Sequence, residues 1–379
     1  MKKGDYQLDT QFEWYRSHTH FVGVIEQVNR QIDQSQVIND VQEYRVGVTR
    51  GFSDMWSGQV VVPYLIAKRS GRDGLDLQQF NDPPFPALHD NFGLTSRAEQ
   101  GDVSQLGDVQ LMARRWWNKP DVKDKGNVQL GFGLKLPTGT YDETNVQRVL
   151  PAAIPANLQA AADAISVGLT GRRVTQAGGI GTTAAIRELV AAGRLNLVPT
   201  TRLDDQSIQP GDGGLGLILT LDGYRKIYKD NTGYLQLLYM ANPRDVNSAD
   251  RALNNPGALA NPITRFLSAP DAYLVRIGFN HPHFLGISTL TASLGWRWEG
   301  VPTHDLIGDS NGFRRPGYYM ALEPGLTRTR GKEYFAIKVP IALQRNRQVS
   351  EAEAQAGDGS QGDAGFADYS IIANYGRKF

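Results

Sequence analysis

The sequence predicts an all-β protein: a single 12-stranded antiparallel transmembrane β-barrel with long extracellular loops and a partly helical insertion. Three observations predict it. Segments of roughly nine to eleven residues alternate apolar and polar, which gives a strand unlike surroundings on its two faces. The connections alternate long and short, as in a barrel with one rim of loops and one of turns. The last stretch, 366–379, alternates up to a terminal aromatic, with Tyr369, Ile371, Ala373 and Tyr375 on one face and Ser370, Ile372, Asn374 and Gly376 on the other. No run of 18 apolar residues exists, so no transmembrane helix is expected. A spanning sheet must then close, because an edge in lipid leaves backbone groups unpaired.

Bulk composition sets the remaining bounds. Lys+Arg 40 against Asp+Glu 39 leaves a net charge of +1, with no basic excess for nucleic acid. The absence of cysteine removes disulfides, thiolate metal sites and cysteine nucleophiles together. The start, Met1-Lys2-Lys3-Gly4-Asp5, carries no hydrophobic signal core, so a signal peptide is absent from this numbering.

Strand one runs from Tyr6 to Trp14 and is followed by a polar stretch, 16–40. Strand two, Gln42 to Arg50, sets Tyr44, Val46 and Val48 against Glu43, Arg45 and Gly47. Strand three, Gly58 to Ala67, presents Val60, Val62, Tyr64 and Ile66, and a polar loop from Lys68 to about Gln105 follows. Strand four is Asp108 to Trp116. Strand five, Val128 to Leu136, alternates most cleanly, with Leu130, Phe132 and Leu134 against Gly131, Gly133 and Lys135. Residues 138–213 form the insertion, in which Asn157 to Leu169 and Thr182 to Ala192 have helical signals. The second begins with N-cap residues and stops at Gly193.

Strand six carries Leu215, Leu217, Leu219 and Leu221. Strand seven offers Leu235, Leu237, Tyr239 and Ala241. Strand eight sets Tyr273, Val275, Ile277 and Phe279 outward. Strand nine does so with Leu290 to Trp298, strand ten runs from Tyr318 to Leu326, and strand eleven carries Phe335, Ile337, Val339, Ile341 and Leu343. The closing strand then pairs with Tyr6 to Trp14, and both termini lie on the short-turn rim. Aromatics collect near strand ends (Trp14 and Tyr15, Phe52 and Trp56, Trp116 and Trp117, Tyr224 and Tyr228, Trp296 and Trp298, Tyr318 and Tyr319), as rings at a headgroup zone do. Pro63, Pro137 and Pro340 sit at inward parity, where each marks a bulge or the end of a pairing.

The lumen is the candidate functional site. Glu13, Glu43, Arg45, Asp108, Arg114, Lys135, Arg276, Arg297, Glu323 and Lys338 fall at inward parity. Their mixed signs argue against strong ion selectivity; they either line a solute path or pair across the interior. Enzymatic readings are weaker. A rim hydrolase needs His and Ser together on an outward face, and the nearest approach, His304 with Ser310, has the wrong spacing. His18/His20 and His281/His283 lack supporting carboxylates, and Gly211 to Gly214 opens a strand instead of a helix, so neither a metal nor a phosphate-binding cofactor is expected.

Four stretches, Gly131-Phe-Gly-Leu-Lys-Leu-Pro-Thr-Gly139, Gly211-Asp-Gly-Gly-Leu-Gly216, Tyr239-Met-Ala-Asn-Pro-Arg-Asp245 and Arg314-Arg-Pro-Gly-Tyr-Tyr319, resemble the outer-membrane proteins of the meta-pathway of phenol degradation. That resemblance implies a barrel that passes aromatic or other hydrophobic compounds; its motifs are turns and strand starts, and no functional residue is carried over. The expectation is therefore one domain, 1–379, in the bacterial outer membrane. It would be a monomeric channel for small, aromatic or hydrophobic solutes, with 138–213 as plug or cap. Its partners would be outer-membrane lipid, a solute, and a protein at the long loops if the alternative holds. That alternative is a closed barrel serving as scaffold or anchor.

Overall fold

The structure, a computed structural model, describes residues 2–32, 35–72, 97–121, 125–149, 198–253, 263–357 and 361–379, with 359 and most of 151–196. The chain divides into two compact units. The first comprises Met1–Arg69, Gly101–Glu143 and Leu203–Phe379; the second comprises Ser70–Gln100 and Thr144–Arg202.

The first unit is a closed antiparallel barrel. Its main sheet contains 15 hydrogen-bonded segments, which reduce to twelve staves: two staves are each interrupted once, and the two-residue strand Ile25–Glu26 only edges the first. In chain order they are β1 (Tyr6–Val22), β2 (Ile38–Gly51), β3 (Trp56–Arg72), β4 (Arg97–Leu106 and Gln110–Trp116), β5 (Gly126–Lys135), β6 (Gly216–Tyr228), β7 (Asn231–Ala241), β8 (Ala272–Pro282), β9 (Leu290–Val301), β10 (Gly317–Arg330), β11 (Glu333–Lys338 and Ile341–Arg347) and β12 (Ala364–Lys378). Each pairs with its sequence neighbour. The seam closes between β12 and β1, from Gln7 opposite Lys378 to Phe21 opposite Ala364, and the Phe379 amide donates to the Tyr6 carbonyl. Among the described residues no edge is left along the ring.

Burial is inverted relative to a water-soluble fold. Val46, Val48, Leu130, Phe132, Ile277 and Phe279 are exposed, whereas Glu13, Lys135, Arg297 and Glu323 are buried. The parity that places apolar residues outward is therefore realised along the staves. Inward glycines serve packing: a Cβ at Gly133 would stand 2.1 Å from the Met112 sulfur, and one at Gly131 2.2 Å from the Thr220 hydroxyl. Small residues at these positions let larger neighbours lie flat on the inner wall.

The staves outrun the hydrophobic pattern. β1 extends to Val22 and β2 begins at Ile38, so much of the stretch 16–40 is strand. Likewise the loop expected from Lys68 to Gln105 contains the end of β3 and Arg97–Leu106. These extensions are mostly polar, a signal that alternation cannot carry; ladder hydrogen bonds hold them together with side-chain contacts such as His20 to Asp363 and Asn39 to Ser207. Interruptions fall where proline removes a donor. At Pro63 the partner of β3 changes from one half of β4 to the other, with the Gly107 amide donating to the Pro63 carbonyl; Pro340 splits β11; β5 ends two residues before Pro137.

The aromatic pairs separate by face. Trp14 and Trp298 lie outward, in edge contacts with Tyr369 and with Tyr273 and Tyr318, respectively. Tyr15 and Tyr319 instead face carboxylates of the lumen, and Trp116 and Tyr224, at inward parity, meet edge-on. Consecutive residues of a strand cannot both face lipid.

The second unit contains the helix Gln159–Thr170, closed by Gly171 at φ 71°, and the two-stranded pairing of Thr144–Val149 with Val198–Leu203. Ala162, Val174, Ala185 and Leu189 form its core. The second expected helix lies partly outside the described residues, but the Ala192 amide donates to the Glu188 carbonyl and Gly193 takes φ 67°, a left-handed stop.

Candidate functional site

Two polar constructions occupy the inner side of the barrel. The first is a belt built from stave side chains. Asp222 on β6 accepts from Gln236 on β7 at 3.0 Å, and Gln236 accepts from Arg276 on β8 at 2.6 Å. Arg276 then pairs with Glu323 on β10, whose carboxylate also meets Arg297 of β9 at 3.5 Å and Lys338 of β11 at 3.8 Å. Arg297 continues to Glu299 at 2.5 Å and to Glu13 of β1 at 4.0 Å.

The last contact is the informative one. β9 and β1 are four staves apart around the ring. A side-chain contact between them is a chord through the lumen, not a contact along the wall. On β2, Arg45 and Glu43 form a two-pronged pair at 2.7 Å. The charges of the belt other than Asp222 thus each meet an opposite charge, which avoids the penalty of a lone buried charge.

The ten expected lumen residues therefore divide. Glu13, Arg276, Arg297, Glu323 and Lys338 join the belt, and Glu43 with Arg45 faces it. Arg114 has no ion-pair partner among the described residues; its charge faces Asp222 and Asp9, and its Nε is buried without an acceptor. Asp108 and Lys135 belong elsewhere. Lys135 pairs with Asp212 and lies 3.5 Å from Asp108, while Asp108 accepts from the Gly139 amide at 2.9 Å. They pin the end of the insertion to β5.

The second construction is the segment 204–213, which sequence reasoning left inside the insertion. Ile208 is fully buried against Val41, Ala67 and Val103, with Tyr15 and Leu65 beside them. All five lie at inward parity on β1 to β4, so the segment fills an apolar seat on the inner wall. It is fixed by polar contacts to several staves. Asp205 pairs with Arg69 of β3 at 3.2 Å and takes a two-pronged bond from Arg315, just before β10, at 2.9 and 3.0 Å. Ser207 accepts from Asn39 of β2 at 3.0 Å, and Gln206 donates to the Ser268 carbonyl at 2.7 Å. Burial works against the Asp205 charge, but Arg315 and Arg69 outweigh it and hold the carboxyl far below the usual range. Burial, with Arg315 nearby, draws Arg251 down to about 10, still charged at neutral pH; its guanidinium lies 3.6 Å over the Phe313 ring.

The long loops around the segment are knit together. Leu203, Ala249 and Leu267 pack with Tyr141 and Phe313. Asp305 takes both prongs of Arg314, and Asp271 accepts from Tyr239 at 2.6 Å and from the Asn242 amide at 2.7 Å. His20 meets Asp363 at 2.8 Å, and Arg30 meets the same carboxylate at 2.6 Å; these outweigh burial and lower the Asp363 pKa. The four stretches that suggested a family converge here, with Lys135, Asp212, Asn242 and Arg314 among their residues. The Ser350-to-Glu353 capping box, legible but unread, starts the short helix Glu351–Ala356, whose Glu353 pairs with Arg347 at 2.8 Å.

These features define a closed barrel with a polar, internally braced lumen. No family model matches the chain, and no curated protein resembles it in sequence. Among solved structures it is similar to an outer membrane channel from Pseudomonas putida F1, at 9% identity and a TM-score of 0.55, over 100% of this chain and 97% of that one. At that identity the likeness is one of fold. The TodX monoaromatic hydrocarbon channel, as its deltaS2 mutant, is more distant (7% identity, TM-score 0.45, 100% and 91% covered), as is a Pseudomonas aeruginosa FadL homologue (10%, 0.40, 100% and 90%).

Proposed function

We propose that the chain is a monomeric outer-membrane channel for small uncharged solutes, aromatic and other hydrophobic compounds included, with segment 204–213 of the insertion as its plug. The observation that carries this reading is the apolar seat of Ile208. A lumen that passed only water and ions has no use for a patch of Tyr15, Val41, Leu65, Ala67 and Val103 on its inner wall. A matched charge belt further along suits a path that does not sort by charge, and the motif resemblance to the phenol-pathway barrels points the same way.

The test is flux into liposomes containing the full chain, using toluene-sized neutral solutes and charged ones of equal size, for wild type and Ile208→Asp. Uptake of the neutral solutes that rises in the variant supports the reading. Equal and negligible uptake by both proteins eliminates it. The second reading, a scaffold for a protein partner, is favoured by one observation: the belt contacts cross the lumen and its charges are paired. Recovery of a stoichiometric partner from native membranes, with no flux in either form, would select it.

A further inference from the structure

The outward wall is apolar but not even. The cross-strand register aligns two rows near the short-turn rim. Gly126, Arg225, Gly233 and Phe279 stand nearer the rim; Val128, Gly223, Leu235 and Ile277 stand one step further in. Gly126, Gly223 and Gly233 are neighbours across β5, β6 and β7, so bare backbone forms the surface there while larger side chains rise around it. The result is an open groove of about 990 Å³ on the outer face, reaching Trp296 and Leu322 at its inner end and Lys125 and Arg225 at its rim end. This lies at the upper end of the roughly 300–1,000 Å³ that small-molecule sites span.

We propose that this groove is a binding site for one anionic glycerophospholipid, its acyl chain along the glycine floor and its phosphate between Lys125 and Arg225. The inference rests on the membrane reading above. An apolar groove surrounded by lipid is filled by an acyl chain, and charge selects which lipid. Neither Lys125 nor Arg225 has an ion-pair partner among the described residues, and both are exposed.

The rim as a whole is cationic and aromatic. Arg50 lies 5.4 Å over Tyr6, Arg115 5.9 Å over Trp56, Lys229 5.3 Å over Tyr228 and Arg377 5.3 Å over Phe379. Such pairs hold a guanidinium or ammonium at headgroup depth, with the ring in the hydrocarbon boundary. A neutral hydrocarbon would gain nothing from this collar, whereas an anionic leaflet would.

The test uses the full chain in vesicles of phosphatidylcholine mixed with phosphatidylglycerol, released into the gas phase and weighed with its retained lipid. Wild type should retain one phosphatidylglycerol in preference to phosphatidylcholine. Lys125→Gln with Arg225→Gln should lower that preference roughly twenty-five-fold, a factor of about five per basic residue. Gly223→Phe should abolish retention of either lipid. A Cβ there meets nothing nearer than Val128 Cγ2 at 3.7 Å, so the barrel should keep its folded electrophoretic mobility. Equal retention of the two lipids by wild type, or a preference unchanged in the double variant, overturns the inference alone. A lipid-free dimer assigns the groove to a second copy and also overturns it. Failure of wild type to insert overturns the membrane reading and the inference with it.

Discussion

The belt and the segment 204–213, the proposed plug, both occupy the inner side of the barrel, but they are built differently. The belt consists of stave side chains: Arg297, Glu323 and Arg276 rise from β9, β10 and β8, and their positions are set by the ladder. The plug is a loop segment, held by Asp205, by hydrogen bonds at Gln206 and Ser207, and by one apolar side chain. Moving the belt means deforming the barrel. Moving the plug means breaking a few contacts while the staves stay put. On the channel reading proposed above, opening belongs to the plug, and the belt filters what the plug admits.

Four substitutions test this contrast. The largest effect is expected for Ile208→Asp. An unpartnered carboxylate in that seat costs several kcal/mol, on the order of 5, which lowers seating by roughly three to four orders of magnitude. Neutral-solute flux should rise accordingly; unchanged flux would show that the segment does not obstruct the path.

Next is Asp205→Ala, which leaves Arg69 and Arg315 without their shared partner, a change of about 3–5 kcal/mol for a buried pair. The expected result is faster proteolytic cutting within 204–213, with the staves still protected. Equal cutting rates would mean that the pair does not hold the plug. Acid should act in the same direction. The folded pKa of Asp205 lies below its unfolded value, so its contribution is complete above about pH 4 and is lost as pH falls toward the folded value. Asp363 is shifted the same way by His20 and Arg30. Loop protection that fails below about pH 4, ahead of the barrel itself, would match this sign.

Glu323→Gln tests the belt. It removes the one carboxylate shared by Arg276, Arg297 and Lys338 and leaves a cationic surplus. In a planar bilayer under a salt gradient, the reversal potential should move toward the anion's equilibrium value. No movement would take the belt off the permeation path. The smallest effect is expected at the exposed Arg377–Glu333 pair, 3.2 Å long, where Arg377→Ala should cost no more than about 0.5 kcal/mol. A large loss of thermal stability would mean that the seam depends on its rim charges.

Alternation made the staves legible because a wall between lipid and lumen imposes period 2 on every crossing residue. It located Leu130, Phe132 and Ile277, and their inward neighbours Glu13 and Arg297, without any coordinates. It could not locate Arg97–Leu106, where Val103 and Leu106 stand isolated among polar residues and neither face repeats an apolar position in succession. Pairing was also invisible: Glu13 and Arg297 are 284 positions apart, and only ring closure brings them within reach. The plug left a fainter mark. Asp204-Asp205, Ile208 and Gly211 to Gly214 form a short polar and glycine-rich run around one isoleucine, which also describes many surface loops. Its binding groups, Arg69 and Arg315, lie far away in the chain, so the seat became apparent only with the fold.

The double bond of Asp205 has a mechanical side. Arg69 belongs to β3 and Arg315 adjoins β10, five staves away by the shorter route around the ring. One carboxylate thus works as a tie-rod between nearly opposite arcs of the mouth, a longer chord than the Arg297–Glu13 contact between β9 and β1. With the rod engaged, the mouth resists ovalisation; with it released, the same hoop can breathe. If 204–213 is the plug proposed above, a solute that displaces Ile208 pulls on this same rod, and the passage widens in response to the cargo that needs it.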